Sequence, residues 1–299
     1  MDWLILSLIC AFALASADAA TKAWLQGLTA WELALVRFTL TGLLLLPLLW
    51  DLPALGALPW RFWGWLTLLV PLEIAAMLLY MAAIRDHPLS LTVPYLAFTP
   101  AFILVVGQLL LGERIPAAGA LGVLLVVMGA WLLNAGHARG WDWRSWGAPL
   151  AAIFWEPGSR MMLAVALIFA FTAVMGKAAM AYLPPAQFGA FYFLLIGLVL
   201  PLVLLPMAGR EGSALRGMLR HLRRRPWAIL IVAGLNALMI LTHFMALQRV
   251  EVAYMIAVKR TSLLFGILYG ALLFNEPGLR RRLPAGALML TGVLVILFA

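Results

Sequence analysis

Charge is what this sequence has least of. Asp, Glu, Lys and Arg together make up 11% of its 299 residues, against about 25% in an ordinary soluble domain. A soluble protein of this length needs far more charge to cover its surface. Here 65% of the residues are hydrophobic and the mean hydropathy is +1.03, which excludes a soluble globular domain. Cysteine is almost absent. The lone Cys10 excludes an internal disulfide and leaves the redox compartment open. It lies in an apolar run, as a small packing residue does. Catalytic signatures are missing too: no Walker loop, no Gly-x-Ser-x-Gly, no His-Glu-x-x-His and no dinucleotide fingerprint occurs. That speaks against an enzyme, and against a nucleotide-driven pump working without a partner chain. His243 has no Cys, His or acid at ligand spacing, so neither a metal site nor a cofactor is expected.

The net charge of +9 invites a nucleic-acid partner, but the distribution argues otherwise. Lys and Arg gather between apolar stretches, as in the cytoplasmic loops of a membrane protein. The densest run, Arg220 with Arg223-Arg224-Arg225, reads as a loop facing anionic headgroups. At the N-terminus, Ala15-Ser16-Ala17 resembles a signal-peptide cleavage site. The preceding segment carries Asp2 instead of a positive charge, so a retained first helix is expected.

A helix of about 20 apolar residues spans a bilayer with every backbone group satisfied. Ten such windows predict membrane helices near 3–24, 31–50, 62–84, 90–111, 116–134, 159–181, 185–207, 227–248, 251–274 and 283–298. Residues 136–158 form a polar, Trp-rich connector with Trp141, Trp143, Trp146 and Trp155. Tryptophan favours the headgroup level. Residues 208–226 form a second long connector.

The chain also repeats itself. Met81-Ala82-Ala83-Ile84-Arg85 reads against Met245-Ala246-Leu247-Gln248-Arg249, 164 residues later. Leu110-Leu111-Gly112-Glu113 reads against Leu273-Phe274-Asn275-Glu276, and Gly129 against Gly292, at a spacing of 163. Thr21-Lys22-Ala23 reads against Gly176-Lys177-Ala178 at 155. These anchors predict an all-α polytopic membrane protein of ten transmembrane helices, built as two five-helix repeats (1–135 and 159–299). An odd number of spans per repeat inverts the second copy, and inverted repeats enclose a midplane site that opens alternately to either side. Thirteen arginines fall in the loops after odd spans and three in those after even spans. That bias puts the odd loops in the cytoplasm and both termini outside.

Several motifs carry a family resemblance. Pro100-Ala101-Phe102, then Leu111-Gly112-Glu113, then Gly122 and Gly129, with Phe274-Asn275-Glu276 and Gly286 to Gly292 as a second copy, resemble the EamA-type branch of the drug/metabolite transporter superfamily. Lys22 and Arg37 also sit where that family tends to place them. The sequence departs from the family pattern at Ser262-Leu263, where a proline is common, at Lys259-Arg260 within a span, and at Asn275, which replaces a glycine. The resemblance implies an exporter or exchanger of small metabolites such as amino acids, in the inner (cytoplasmic) membrane. Family members of this size are usually similar in having both termini cytoplasmic, opposite to the charge count.

Ionisable groups are costly within a bilayer and persist where they line a cavity or find a partner. Glu73, in mid-span beside Pro71, is a candidate to carry a proton or face a cationic substrate, or else to pair with a cation. Lys259 and Arg260 are candidates to hold a carboxylate or phosphate, or else to bridge to Glu73 or Asp18. Asp18 and Lys22, four apart, suit an intrahelical pair. Arg37 and Lys177 suit snorkelling to the interface. Asn236 and His243 are seven apart on one helix face and line either a path or a helix–helix contact. Tyr80 and Tyr95, with Trp24 and Phe98, suit an aromatic wall or simple packing. Gly266 to Gly270 is a small-xxx-small pattern suited to close contact within the fold or in a homodimer. The expected partners are therefore a small-molecule substrate and the lipid bilayer, with proton coupling through Glu73. The rival readings are an intramembrane lipid-handling protein or enzyme, with its polar groups near one headgroup plane, and a non-transporting membrane subunit with no internal cavity.

Overall fold

A computed structural model describes residues 2–87, 93–135, 155–204, 214–275 and 279–299. Trp141, Trp143, Trp146, Arg139, Arg144, Arg210 and Glu276 lie outside the described residues. The described residues contain helices and turns and no strand. In chain order the helices are α1 (Asp2–Trp24), α2 (Ala30–Leu35), α3 (Thr41–Leu44), α4 (Trp60–Asp86), α5 (Thr99–Leu111), α6 (Ala117–Ala135), α7 (Pro157–Met180), α8 (Pro185–Leu204), α9 (Ala214–Arg224), α10 (Pro226–Leu247), α11 (Val252–Lys259), α12 (Ser262–Leu273) and α13 (Leu279–Leu297). Seven helical segments among the described residues are long and apolar enough to cross a membrane: Asp2–Trp24, Trp60–Tyr80, Pro94–Leu111, Pro157–Met180, Pro185–Leu204, Pro226–Leu247 and Val252–Leu273. Ala117–Leu133 and Arg282–Leu297 are shorter apolar helices.

Three windows contain interruptions, and that of the fourth is the one that Pro94 and Pro100 mark in the sequence. The window at 31–50 begins with a capping box, in which the Thr29 amide donates to Glu32 Oε2 at 2.7 Å and the Glu32 amide to Thr29 Oγ1 at 3.3 Å. It then passes from α2 through a π-helical turn (Val36–Leu40) into α3 and a 3₁₀ turn (Leu46–Leu49), with Pro47 ending regular helix. The fourth window enters α5 through a 3₁₀ segment, Val93–Phe98. The ninth breaks at Arg260-Thr261, between α11 and α12. The last two breaks correspond: Thr99 opens α5 and Ser262 opens α12, 163 residues apart. In each, a threonine hydroxyl donates to a carbonyl three residues back, Thr99 to Leu96 at 2.9 Å and Thr261 to Val258 at 2.7 Å. That side-chain bond competes with the helical ladder.

The chain forms two compact units, Met1–Val70 with Ala179–Gln248, and Pro71–Ala178 with Arg249–Ala299. In the first unit α1 packs antiparallel on α10: the Trp24 and Trp227 rings meet edge-on at 5.0 Å, and Arg225 donates to the Trp24 carbonyl at 3.0 Å. An alanine-rich face of α1 (Ala13, Ala17 and Ala20 among its buried residues) permits this approach. The segment from the π-turn to α3 crosses α8 so closely that a Cβ on Gly42 would lie 2.8 Å from Leu194 Cα, and one on Gly197 would lie 2.8 Å from Thr39 Cα. Between those points Phe38 and Phe193 stack at 5.5 Å. Phe62 and Phe188, both fully buried, anchor the aromatic core of this unit with Phe244 and Tyr192.

In the second unit α6 and α13 pack antiparallel through small residues. A Cβ on Gly122 would lie 2.8 Å from the Gly292 carbonyl, and one on Gly129 would lie 2.7 Å from the Ala285 carbonyl. Gly112 ends α5 at φ 68, and its counterpart Asn275 takes φ 52. Asparagine is among the few side chains that accept this left-handed geometry, so the exchange of glycine for Asn275 preserves the turn.

Candidate functional site

The first unit holds Asp18, Arg37, Asn236 and His243; the second holds Glu73, Tyr80, Tyr95, Lys259 and Arg260.

In the first unit Arg37 leaves the π-turn, and its guanidinium pairs with Asp18 of α1 through Nη2 and Oδ1. The side chains are 27% and 57% exposed. This corrects two expectations: the partner of Asp18 is on another helix, and Arg37 is paired there instead of snorkelling. π-turns widen the helix locally and recur at functional sites. Arg37 keeps a buried Nε–H with no acceptor among the described residues, and the Nδ2 of Asn236, on the 2%-exposed side chain of α10, has none either. Gln187 Oε1, an acceptor, is also buried in this unit with no donor among the described residues. The His243 ring stands edge-on to Phe244 at 4.9 Å.

In the second unit Arg260 sits at the break between α11 and α12, within electrostatic reach of Tyr80 of α4. Its Nε is buried and has no acceptor among the described residues. Lys259, one residue before, is half-buried, as is Glu73. Tyr95 is fully buried, with its ring 5.5 Å from Trp131 and its hydroxyl hydrogen-bonded to Ser159. Buried donors almost always have acceptors in folded proteins. Two arginines on irregular backbone, each with a donor edge still open, therefore suit a carboxylate or phosphate that arrives from outside.

The most developed ionic arrangement joins Glu113 and Lys177, neither of them a sequence-predicted site residue. Gly112 turns the chain at the end of α5 and lays the Glu113 carboxylate over Gly107, where an added Cβ would meet Oε2 at 3.0 Å. Lys177 donates to Glu113 Oε1 at 2.7 Å and to the Val250 carbonyl at 2.6 Å. The Val252 amide, in the first turn of α11, donates to Glu113 Oε2 at 3.1 Å. A carboxylate thus caps the positive end of one helix and binds the ammonium at the end of another. Lys177 is held there, where snorkelling was expected. The signal was available: Glu113 and Glu276, and Lys22 and Lys177, are each repeated in sequence.

The sequence profile of the EamA-like transporter family matches residues 1–135 and 157–298. The chain belongs to the EamA-like transporter family. It is a multi-pass membrane protein, and the family assignment points to transport in preference to enzymatic chemistry. Among curated proteins it is similar to the probable 4-amino-4-deoxy-L-arabinose-phosphoundecaprenol flippase subunit ArnE of Enterobacter sp. (strain 638). The two are 36% identical over 74 residues, covering 25% of this chain and 69% of ArnE. Among solved structures it matches one titled "Crystal structure of protein", with TM-score 0.71, 17% identity, and coverage of 98% of this chain and 94% of the other. At that identity the match speaks for the fold alone.

Proposed function

We propose that the protein is a secondary transporter that exports or exchanges a small carboxylated metabolite, such as an amino acid, by alternating access between two inverted five-helix repeats in the inner membrane. One observation carries this reading. Two helix crossings, one in each compact unit, repeat their contacts with the partners exchanged. Gly42 meets Phe193 and Leu194, and Gly197 meets Phe38 and Thr39, the same pairs shifted by 155 and swapped. Gly129 meets Ala285 and Met289, and Gly292 meets Gly122 and Val126, the same pairs shifted by 163 and swapped. Antiparallel helices with exchanged contacts are related by a two-fold axis perpendicular to them. For helices that cross a bilayer, such an axis lies in the membrane plane, as inverted repeats require. The duplicated breaks at Thr99 and Ser262 support the same reading, because paired interruptions in corresponding spans point to where a substrate binds.

In the first unit Arg37, with Asn236, and in the second Arg260, beside Tyr80, are each a candidate to take a substrate carboxylate through an open Nε edge, and Glu73 is the candidate to carry a coupling proton. The decisive experiment loads liposomes containing the purified protein with unlabelled amino acids and follows counterflow of the labelled ones. The candidates come first from a screen for ligands that raise the thermal midpoint, as selective binding to the folded state must. Saturable counterflow lost in Arg37→Gln and Arg260→Gln supports the proposal. A protein that neither binds nor exchanges any carboxylated metabolite refutes it. Indifference of counterflow to an imposed pH gradient, with Glu73→Gln unaffected, removes the proton from the scheme.

The similarity to ArnE favours a second reading, a subunit that flips a phosphate-bearing lipid. Arg37 or Arg260 would then meet a phosphate instead of a carboxylate. Dithionite quenching of a fluorescent lipid phosphate in the same liposomes separates the readings: protein-dependent access to the inner-leaflet probe, without amino-acid counterflow, selects the flippase.

A further inference from the structure

The segment between α8 and α10, expected as a loop, contains the helix α9, and that helix does not fit the transport path. Its 11 residues reach only about 16 Å, too short to cross a bilayer. Its sequence divides sharply into stripes. Arg220 lies four residues after Arg216, Arg223 and Arg224 lie three and four residues after Arg220, and together with Leu219 they line a concavity of about 400 Å³. Leu215 and Leu219 lie along the adjoining stripe and are exposed, at 40% and 44%. No acid occurs within α9. Among the described residues the carboxylate of Glu32, 8% exposed, faces Gly217 on another side of the helix and already accepts from the Thr29 amide.

The position of α9 along the membrane normal follows from its neighbours in the first unit. Gly217 and Met218 are buried where α9 packs on α2. Arg225, the one residue between α9 and α10, donates to the carbonyl of Trp24 at the end of α1, and Pro226 opens α10, so the end of α9 lies beside the ends of two membrane helices. The Trp24–Trp227 pair lies at that level, with Trp227 50% exposed. Tryptophan marks the headgroup zone. A short basic helix with exposed leucines beside its cations, fixed at that depth, has the composition of an interfacial helix.

We infer that α9 is a binding site for the headgroup of an anionic glycerophospholipid, with the phosphate held among Arg216, Arg220, Arg223 and Arg224 and an acyl chain lying along Leu215 and Leu219. The exposed leucines are what select a lipid over a soluble phosphate: a free anion uses the guanidiniums and gains nothing from the apolar stripe. The site stands whether the cargo is an amino acid or a lipid, since none of its residues is assigned to transport.

The test is native mass spectrometry of the purified full-length protein in detergent, titrated with equal mole fractions of phosphatidylglycerol and phosphatidylcholine. The wild type retains phosphatidylglycerol in preference to phosphatidylcholine by about tenfold or more, because each basic side chain near an anionic headgroup adds to its attraction. The variant R216Q/R220Q/R223Q/R224Q loses the preference, and the matching four-lysine variant keeps most of it. Leu215→Asp with Leu219→Asp weakens phosphatidylglycerol retention while leaving the arginines in place. Equal retention by wild type and the glutamine variant overturns the inference. So does displacement of the lipid by low-millimolar inorganic phosphate, which identifies a free-anion site. If the fourfold variant does not purify, R216Q/R220Q and R223Q/R224Q are read separately in the same assay, and unchanged preference in both is equally fatal.

Discussion

Truncation of Glu113 to alanine tests the ionic arrangement at the end of α5. The carboxylate is 9% exposed and the Lys177 side chain 23% exposed, so neither is well hydrated. Glu113→Ala leaves the ammonium with the Val250 carbonyl alone and leaves the Val252 amide without its acceptor. A hydrogen bond to a charged group contributes about 1.5–3 kcal/mol, and breaking a buried pair from one side costs about 3–5 kcal/mol. The partial exposure of Lys177 puts the expected loss at the low end, about 3 kcal/mol. At about 2 °C per kcal/mol for a chain of this size, the thermal midpoint falls by about 6 °C. Glu113→Gln keeps an acceptor for the amide and loses the charge, so it falls by about half as much. The assay is thermal unfolding in detergent at one fixed scan rate, because membrane proteins commonly unfold irreversibly. The double-mutant cycle with Lys177→Ala isolates the pair, with an expected coupling of about 1.5–3 kcal/mol. Strict additivity of Glu113→Ala and Lys177→Ala would refute the latch, whatever each costs alone.

Gly292→Ala places a methyl 2.6 Å from the Gly122 carbonyl and is expected to cost about 1–3 kcal/mol by overpacking. Gly266→Ala, at a position where nothing lies within 4 Å, is neutral or stabilises by up to about 1 kcal/mol in the same melts. Asn275→Val, forced to φ 52, loses about 1–2 kcal/mol, whereas Asn275→Gly stays within about 0.5 kcal/mol of wild type; equal midpoints for the two would disprove the left-handed turn. For orientation, Leu215→Cys in a Cys10→Ser background reacts with an impermeant maleimide only in inside-out vesicles if the arginine bias sets topology. Labelling in right-side-out cells would reverse the assignment and agree instead with cytoplasmic termini.

Helix positions were legible because apolar length is a strong signal: the window at 3–24 is α1 and that at 227–248 is α10, each to within a residue or two. Breaks inside helices were not. The π-turn at Val36–Leu40 and the break at Arg260-Thr261 lie inside windows that are apolar on average, and window averages are blind to a local change in hydrogen bonding. Polar residues were legible as candidates, while their partners were not. Spacing offers Asp18 its helix neighbour Lys22, and charge alone offers the distant Lys259 and Arg260. The partner it has, Arg37, is 19 residues away across a turn. The helix α9 was read as loop because its arginines outweigh its leucines in any average, although their periodicity carries the amphipathic pattern.

Comparing the two copies position by position separates scaffold from interior. Residues that make close helix crossings are duplicated in kind: Phe38 with Phe193, Gly42 with Gly197, Gly129 with Gly292, Gly122 with Ala285, and Gly112 with Asn275, which keeps the same left-handed turn. The candidate site residues are not. At the same offsets Asp18 matches Ala173, Arg37 matches Tyr192, Glu73 matches Ala237, Asn236 matches Leu72, and Lys259 and Arg260 match Leu96 and Ala97. Packing constraints act on each copy alike, so drift in one copy is opposed as strongly as in the other. A binding constellation is under the opposite constraint: duplicating Arg37 and Arg260 would place further cations in low dielectric with no anion to meet them, at roughly 2.5–3.5 kcal/mol each on insertion scales. Duplicated packing residues beside unduplicated ionisable ones are the pattern that the proposed ligand-binding role of those ions requires. The same division predicts how substitutions sort. Changes at the duplicated glycines lower stability, and changes at the unduplicated ions alter binding or transport at nearly constant stability. A set of variants in which Arg37→Gln and Gly292→Ala both act only through the thermal midpoint would contradict it.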